Sequence, residues 1–231
     1  MKVLIIIGAS VLILLFLTIG SCFAQSAAEQ TWTKGVEYAA QGNFSEAKKA
    51  FENALKADPY YDRAKEALEV IEDVVDQKIK SKTAIHLFKG KSYREKEQWD
   101  EAIAEYNKAL EINPKFAMAY NDRGIAYRWK GQYDQAISDH NKALEINSRY
   151  AEAYNSRGVA YYTKGQHDKA ISDYNKAIEI NPRYAYAYNN RGVAYDAKGN
   201  MKKACSDWKW ACELGECGNW GMLNKIRCLG K

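Results

Sequence analysis

The sequence predicts an all-α fold in which antiparallel pairs of helices stack into a solenoid. Five segments carry glycine, alanine and alanine at the same three places of a 34-residue frame. These places hold Gly35, Gly90, Gly124, Gly158 and Gly192, then Ala47, Ala102, Ala136, Ala170 and Ala204, then Ala54, Ala109, Ala143, Ala177 and Ala211. A period of this length is typical of helix-turn-helix units, which bury their apolar faces only against their neighbours. With 47% hydrophobic residues and only 3 prolines, the composition excludes disordered and collagen-like chains.

The first 24 residues differ in kind from the repeats and predict an export signal. Lys2 is followed by an apolar stretch from Val3 to Ile19 and then by small residues, and the next charge is Glu29. A basic start, an apolar core and a small-residue exit form the pattern of a secretory leader. We therefore expect the rest of the protein to lie outside the cytoplasm.

The exit of this leader is compatible with three kinds of processing. Residues 22–24 form a small-x-small site before Gln25, which favours simple cleavage. Residues 19–22 resemble a bacterial lipobox, in which Cys22 would be lipidated and become the first mature residue. Retention as an anchor is the third alternative, because the 17 apolar residues reach the lower limit of a spanning helix. In each case Lys2 stays inside, so the repeats lie on the other side of the membrane.

One frame, residues 151–184, shows why these residues predict a pair of helices. Apolar and small residues recur at helical spacing in its first half, and Gly165 supplies the left-handed residue that ends a helix. A second helix follows over 168–180. Gly158 and Ala170 fall where the two helices come closest, and a larger side chain there would push the backbones apart.

At these positions the chain resembles the tetratricopeptide repeat family. Its frames span residues 28–61, 83–116, 117–150, 151–184 and 185–218. The resemblance implies a right-handed superhelical solenoid whose first helices line a concave groove, which holds a peptide or a partner's helix.

Three arginines replace the leucine that the family often has early in the first helix. Arg123, Arg157 and Arg191 stand where leucine is common, and each shares its frame with an aspartate on the second helix, Asp139, Asp173 or Asp207. We expect a repeated Arg–Asp pair within each pair of helices.

Residues 62–82 separate the first frame from the second and predict an extra helix. This segment contains no glycine or proline and carries one apolar stripe, formed by Ala64, Ala67, Leu68, Ile71, Val74, Val75 and Ile79. A coiled-coil seam is one interpretation, but Lys78 and Lys82 interrupt its heptad column. The pattern favours a helix stacked on the solenoid, and this helix could run into the next one, which holds Ile85 and Leu87.

Four cysteines follow the leader and predict two disulfides, because their number is even and the protein is expected to be exported. Cys205 and Cys212 lie about 10 Å apart along one helix, beyond the bridging limit of about 7 Å. If residues 219–231 form a capping helix that folds back, residues equidistant from the turn face each other. Cys212 then pairs with Cys217, and Cys205 with Cys228. A zinc site is the competing interpretation, but the cysteine spacing does not favour it.

No motif in the chain predicts catalysis, a cofactor or a metal ion. It has no phosphate-binding glycine loop, nucleophile elbow or metal-ligand spacing. His140 takes the place of Tyr106 and Tyr174 in the frame, which predicts a core residue. The net charge of +5 arises from 34 basic and 29 acidic residues without long runs of one sign, which does not favour nucleic acid as a partner.

The groove implied by the family resemblance can be assigned by frame position. Its residues are Asn121, Ile125 and Arg128, then Asn155, Val159 and Tyr162, then Asn189, Val193 and Asp196. An asparagine amide offers donors and an acceptor, which suits gripping the backbone of an extended peptide. The alternative is that the asparagines recur only because the repeats were duplicated.

These observations predict a non-enzymatic interaction scaffold or adaptor of the bacterial periplasm or envelope. We expect its partner to be another protein or a peptide. Membrane contact is expected only through the N-terminal segment or a lipid on Cys22. A self-associating structural protein is the alternative, an enzyme or enzyme subunit is not favoured, and the oligomeric state stays open.

Overall fold

The computed structural model describes residues 27–216 and residue 228, and within these residues all regular secondary structure is helical. The helices are α1 (27–40), α2 (Phe44–Ala57), α3 (Asp62–Val75), α4 (Ser81–Glu95), α5 (Trp99–Ile112), α6 (Ala117–Trp129), α7 (Tyr133–Ile146), α8 (Ala151–Thr163), α9 (His167–Ile180), α10 (Ala185–Ala197) and α11 (Met201–Glu213). The predicted all-α class is thereby confirmed. The chain divides into two compact units between Ser92 and Tyr93.

Some predicted features lie outside the described residues. These are the leader over 1–24 with Cys22, Cys217, and the capping helix over 219–231 apart from Cys228. None of the described helices is both long and apolar enough to span a membrane.

The first unit is built around the pair formed by α1 and α2. Gly35 on α1 faces Phe51 on α2, where an added Cβ would lie 2.4 Å from the ring. The ring of Phe51 in turn stacks on that of Phe88, with centroids 5.8 Å apart. Ala47 and Ala54, the two alanines of the frame, are fully buried. The small residues of this frame therefore serve close packing, as predicted.

The extra helix α3 is shorter than the predicted span of 62–82. It ends at Val75, after which Gln77 adopts a positive φ of 57° and the Lys78 N–H donates to the Asp73 carbonyl at 2.9 Å. This bond and the left-handed residue form a C-terminal cap, so α3 does not continue into the helix of Ile85 and Leu87.

The packing of α3 favours the stacked arrangement over a coiled-coil seam. The helix packs on α2, and Ile71 is buried within the unit. Val75, from the same heptad column, is 69% exposed. One residue of the heptad column is thus buried and another is exposed, so the column does not form one continuous apolar seam.

In the second unit, three consecutive pairs repeat almost without change. They are α6 with α7, α8 with α9, and α10 with α11, and each element begins 34 residues after its equivalent. Gly131, Gly165 and Gly199 connect the helices of each pair with φ values of 76°, 73° and 75°. Glu97 adopts the same left-handed conformation, with a φ of 57°, before α5. The shared geometry of this turn sets the angle at which each second helix returns.

Each pair of the second unit brings a glycine of its first helix against a ring of its second helix. A Cβ added to Gly124, Gly158 or Gly192 would lie 2.8, 2.6 or 2.5 Å from His140, Tyr174 or Trp208, respectively. These distances are shorter than any normal carbon contact, so the rings occupy the space that a side chain would need. The rings therefore pack within their own pair of helices.

A ladder of arginines links the helices of the second unit. The Arg157 Nε and Nη2 atoms donate to the two carboxylate oxygens of Asp173 at 2.8 and 2.7 Å, and Nη1 donates to Asn141 Oδ1 at 2.7 Å. Arg157 thus joins its own pair, α8 and α9, to α7 of the preceding pair. The same arrangement joins Arg123 to Asp139 and Asn107, and Arg191 to Asp207 and Asn175.

His140 is a core residue, as its frame position predicts. Its side chain is 0% exposed, and Nδ1 lies 3.1 Å from Asn121 Oδ1. Burial lowers the pKa of His140 to about 3, and the charges of Arg128 and Arg157 act in the same direction. The imidazole is therefore neutral in the folded protein at neutral pH.

Removing a ladder carboxylate should destabilise the protein. Asp173→Ala leaves the partly buried Arg157 guanidinium without its charged acceptor, so we expect the free energy of unfolding in urea to fall by about 2 kcal/mol. The matched control is Asp134→Ala, which removes the ion pair between Lys164 and an aspartate side chain that is 87% exposed. This control should change the free energy by less than about 1 kcal/mol. Equal losses in the two variants would contradict a structural role for the ladder.

His140 should make the stability sensitive to acid. Between pH 6.5 and about 3 the unfolded chain binds a proton that the folded chain does not, so the free energy of unfolding falls as the pH is lowered through this range. His140→Tyr introduces the residue found at the equivalent Tyr174 and removes this contribution. Urea titrations across this pH range should give a slope that is shallower by up to about 1.4 kcal/mol per pH unit. Identical slopes would show that His140 does not titrate in this way.

Candidate protein-binding surface

The first helices of the second unit form a continuous surface. Helix α6 contacts α8, and α8 contacts α10, while the second helices α7, α9 and α11 each contact the first helix of their own pair. Seven of the nine predicted groove residues are partly buried on these helices: Ile125, Arg128, Val159, Tyr162, Asn189, Val193 and Asp196. We call these seven residues the first-helix surface.

The predicted column of ligand-gripping asparagines needs correction at two of its three positions. Asn121 is 0% exposed and Asn155 8% exposed. Asn121 Oδ1 faces His140, and Asn155 Oδ1 accepts from Asn190 Nδ2 at 2.9 Å. Their amide oxygens therefore face groups within the protein, and of the three asparagines only Asn189 is partly accessible. The frame position is constant, but the side chains packed around it are not.

The apolar residues of the first-helix surface connect it to the core. Val159 and Tyr162 pack against the buried cluster of Ala170, Tyr174 and Ala194. Ile125 and Val193 occupy the same frame position as Val159 and are likewise partly buried. Each of these three repeats thus supplies one partly exposed aliphatic side chain that a bound segment can contact.

Polar character varies along the surface at one frame position, which holds Arg128, Tyr162 and Asp196 on successive helices. The ring of Tyr162 lies against that of His167, with centroids 5.1 Å apart. Burial lowers the pKa of Arg128, an effect that the phenols of Tyr133 and Tyr174 oppose, and the charge of Arg128 in turn lowers the pKa of His140. The surface therefore has a different chemical character on each helix.

Two tryptophans beside Arg128 were missed by the sequence analysis. The Arg128 Cζ atom lies 4.6 Å from the ring centroid of Trp129. The Trp129 ring stacks on Trp99 at 5.5 Å, with an angle of 9° between their planes. Trp129 is nevertheless 58% exposed. These tryptophans recur in no other frame, so periodicity could not reveal them.

The cysteines were also predicted as site residues. Cys205 and Cys228 form a disulfide with their Cα atoms 5.7 Å apart. The Cys212–Cys217 pair stays a prediction, because Cys217 lies outside the described residues. No group of three or more side chains arranged to hold a metal ion occurs in the part of the chain that the structure describes.

Models of the tetratricopeptide repeat match residues 28–61, 151–184 and 173–206, and a model described as TPR repeat matches residues 90–128 and 126–165. Together these matches cover well over half of the chain. A search of curated proteins finds no match.

Solved structures show the same fold. A crystal structure of MamA is 30% identical, covering 79% of this chain and 94% of that chain, with a TM-score of 0.54. The first TPR of Spaghetti (RPAP3), bound to an HSP90 peptide, is 28% identical and covers 52% of this chain and 96% of its own, with a TM-score of 0.50. TTC0263, a TPR protein of Thermus thermophilus, is 20% identical over 88% of this chain and 98% of its own, with a TM-score of 0.55, which supports the fold alone. From the repeats, the helix pairs and these matches, the chain belongs to the tetratricopeptide repeat family.

Proposed function

We propose that this protein is a non-enzymatic interaction scaffold of the bacterial envelope, which binds a peptide or a partner's helix on its first-helix surface. The observation that carries the proposal is the continuity of that surface. Three neighbouring helices present an aliphatic side chain at one frame position, Ile125, Val159 and Val193, and all three are partly accessible. A row of such side chains next to polar ones is suited to a partner segment that lies across the helices.

A related structure supports this kind of partner. The first TPR of Spaghetti (RPAP3) is bound to the HSP90 peptide SRMEEVD, and its likeness to this chain covers about half of the residues. Peptide binding by that relative makes a peptide a reasonable ligand class here. The identity of the ligand is not transferred, because the side chains on the surface are this chain's own.

The packing of the histidine and the arginines supports a scaffold rather than an enzyme. His140 is buried with a pKa of about 3, so it is unsuited to proton transfer near neutral pH. The ladder arginines, such as Arg157, are held by structural acceptors. These charged and titratable groups therefore serve the fold.

Two features support a location outside the cytoplasm. Residues 1–24 have the pattern of a secretory leader, with Lys2 before an apolar core. The Cys205–Cys228 disulfide suits an oxidising compartment such as the periplasm. Together they favour an exported protein, whether its leader is cleaved, lipidated at Cys22 or retained.

Site-specific photocrosslinking tests the proposed surface. The photoreactive residue benzoylphenylalanine at Val159 or Val193 should yield discrete adducts in the envelope of the source bacterium, because these side chains would contact the partner. The matched control is the same residue at Ser172, which is exposed on the second helix α9. Mass spectrometry of the adducts identifies the partner.

The outcomes of this experiment separate the two functions that we considered. Adducts at Ser172 but not at Val159 or Val193 would contradict binding on the first-helix surface. An adduct of twice the chain's mass would favour the self-associating structural protein instead.

The proposed export makes a prediction about the mature chain. Protein purified from the envelope should begin at Gln25 and should give a Cys205–Cys228 linked peptide in a non-reducing digest. The intact mass distinguishes this outcome from lipidation at Cys22 and from a retained leader. Free thiols at Cys205 and Cys228 in the native protein would contradict residence in an oxidising compartment.

A further inference from the structure

Arg128 differs from the other arginines on the helices of the second unit. Arg123, Arg157 and Arg191 each donate to both oxygens of an aspartate, and Arg94 Nη1 donates to Asp122 Oδ1 at 2.7 Å. For Arg128, no carboxylate oxygen lies within 4.0 Å among the described residues. Its charge is thus not neutralised by the described part of the protein.

The surroundings of Arg128 make this lack of a partner costly. The side chain is partly buried, and burial lowers its pKa because the charged form is less well solvated. The guanidinium lies over the ring of Trp129, a side chain that carries no charge. A buried cation without a counterion destabilises the folded state.

The stacked tryptophans also fix the orientation of the guanidinium before a ligand binds. Its stacking on the Trp129 ring covers part of one face and restricts its rotation. Trp99 supports that ring from its own stacked position. The N–H groups at the edge of the guanidinium plane then remain available, and their fork matches the two oxygens of a carboxylate.

We propose that Arg128 of the first-helix surface and the adjacent Trp129 form an acid-recognition site, which binds an aspartate or glutamate side chain of the partner segment. This inference rests on the proposed function and adds the chemistry of the partner. The carboxylate supplies the charge that Arg128 lacks, and the exposed edge of Trp129 contacts the apolar part of the same segment.

A side chain suits this site better than a terminal carboxylate. Arg128 lies on α6, and α6 is packed between α5 on one side and α8 on the other. A segment that crosses the first-helix surface therefore passes Arg128 and continues toward Val159 and Tyr162. A side chain can reach Arg128 from a segment that runs in either direction, whereas a terminal carboxylate requires the segment to run from α10 to α6 and to end at Arg128.

Random peptides provide a test that needs no known partner. The probes are synthetic random peptides attached to an array through their carboxyl ends, so that no terminal carboxylate is present. The full mature chain should retain peptides enriched in aspartate and glutamate. Arg128→Gln should lower this enrichment by about tenfold, the effect of a lost charge-assisted hydrogen-bond pair. Arg128→Glu should shift the preference to lysine and arginine.

The controls separate this site from the overall positive charge. Arg149→Gln removes the same charge from an exposed position outside the surface and should leave the acidic preference unchanged. A second array, attached through the amino ends, presents free carboxyl termini and should not be preferred over the first. Stronger binding to the second array, lost in Arg128→Gln, would overturn our choice of a side chain.

The remaining outcomes distinguish this inference from the proposed function. Retained peptides without acidic enrichment, or with equal enrichment in Arg128→Gln, would overturn the acid-recognition site and leave the scaffold function intact. Retention of no peptide by either array would contradict both. The melting temperature gives an independent measure, because Arg128→Met should raise it by about 2–4 °C if the cation is kept for binding. A comparable decrease would instead indicate a structural role for Arg128.

Discussion

The first-helix surface depends on the arginine ladder behind it. Each ladder arginine, such as Arg157, holds an aspartate of its own pair and an asparagine of the preceding pair. One side chain therefore fixes both how the two helices of a pair pack together and how that pair packs on the previous pair. Because all five N–H groups of a guanidinium lie in one plane, the three helices cannot rotate much without losing hydrogen bonds. This constraint keeps α6, α8 and α10 in line.

Close packing of glycine against a ring provides the second constraint, and it tolerates different rings. Gly124, Gly158 and Gly192 face an imidazole, a phenol and an indole in turn. The imidazole is the smallest and most polar of these rings, and its Nδ1 lies close to Asn121. The ring at this core position thus contacts a residue that the repeat pattern assigns to the groove. Core and surface are coupled through this pair of side chains.

The repeat pattern predicted the fold well because the fold is determined by packing within 34 residues. Glycine and alanine recur in all five frames and the Arg–Asp pair in the last three, and they report directly on contacts between neighbouring helices. Asn141 and its equivalents are equally periodic, yet this second partner of each arginine was not predicted, because it belongs to a different frame. The burial of Asn121 and the end of α3 at Gln77 depend on local contacts that occur once. The isolation of Arg128 depends on the groups that surround it in space, which spacing in the sequence does not reveal.

Binding specificity can depend only on positions whose side chains are not fixed by packing between the helices. In the second unit the ladder position holds arginine three times, whereas the position of Arg128 holds tyrosine on α8 and aspartate on α10. A substitution at the ladder position would disturb three helices, so this position can carry little information about a ligand. The variable position places a cation on α6 and an anion on α10, separated by Tyr162. A partner segment with charges of both signs would therefore bind more favourably in one direction across the helices than in the other, because reversing it would bring like charges together.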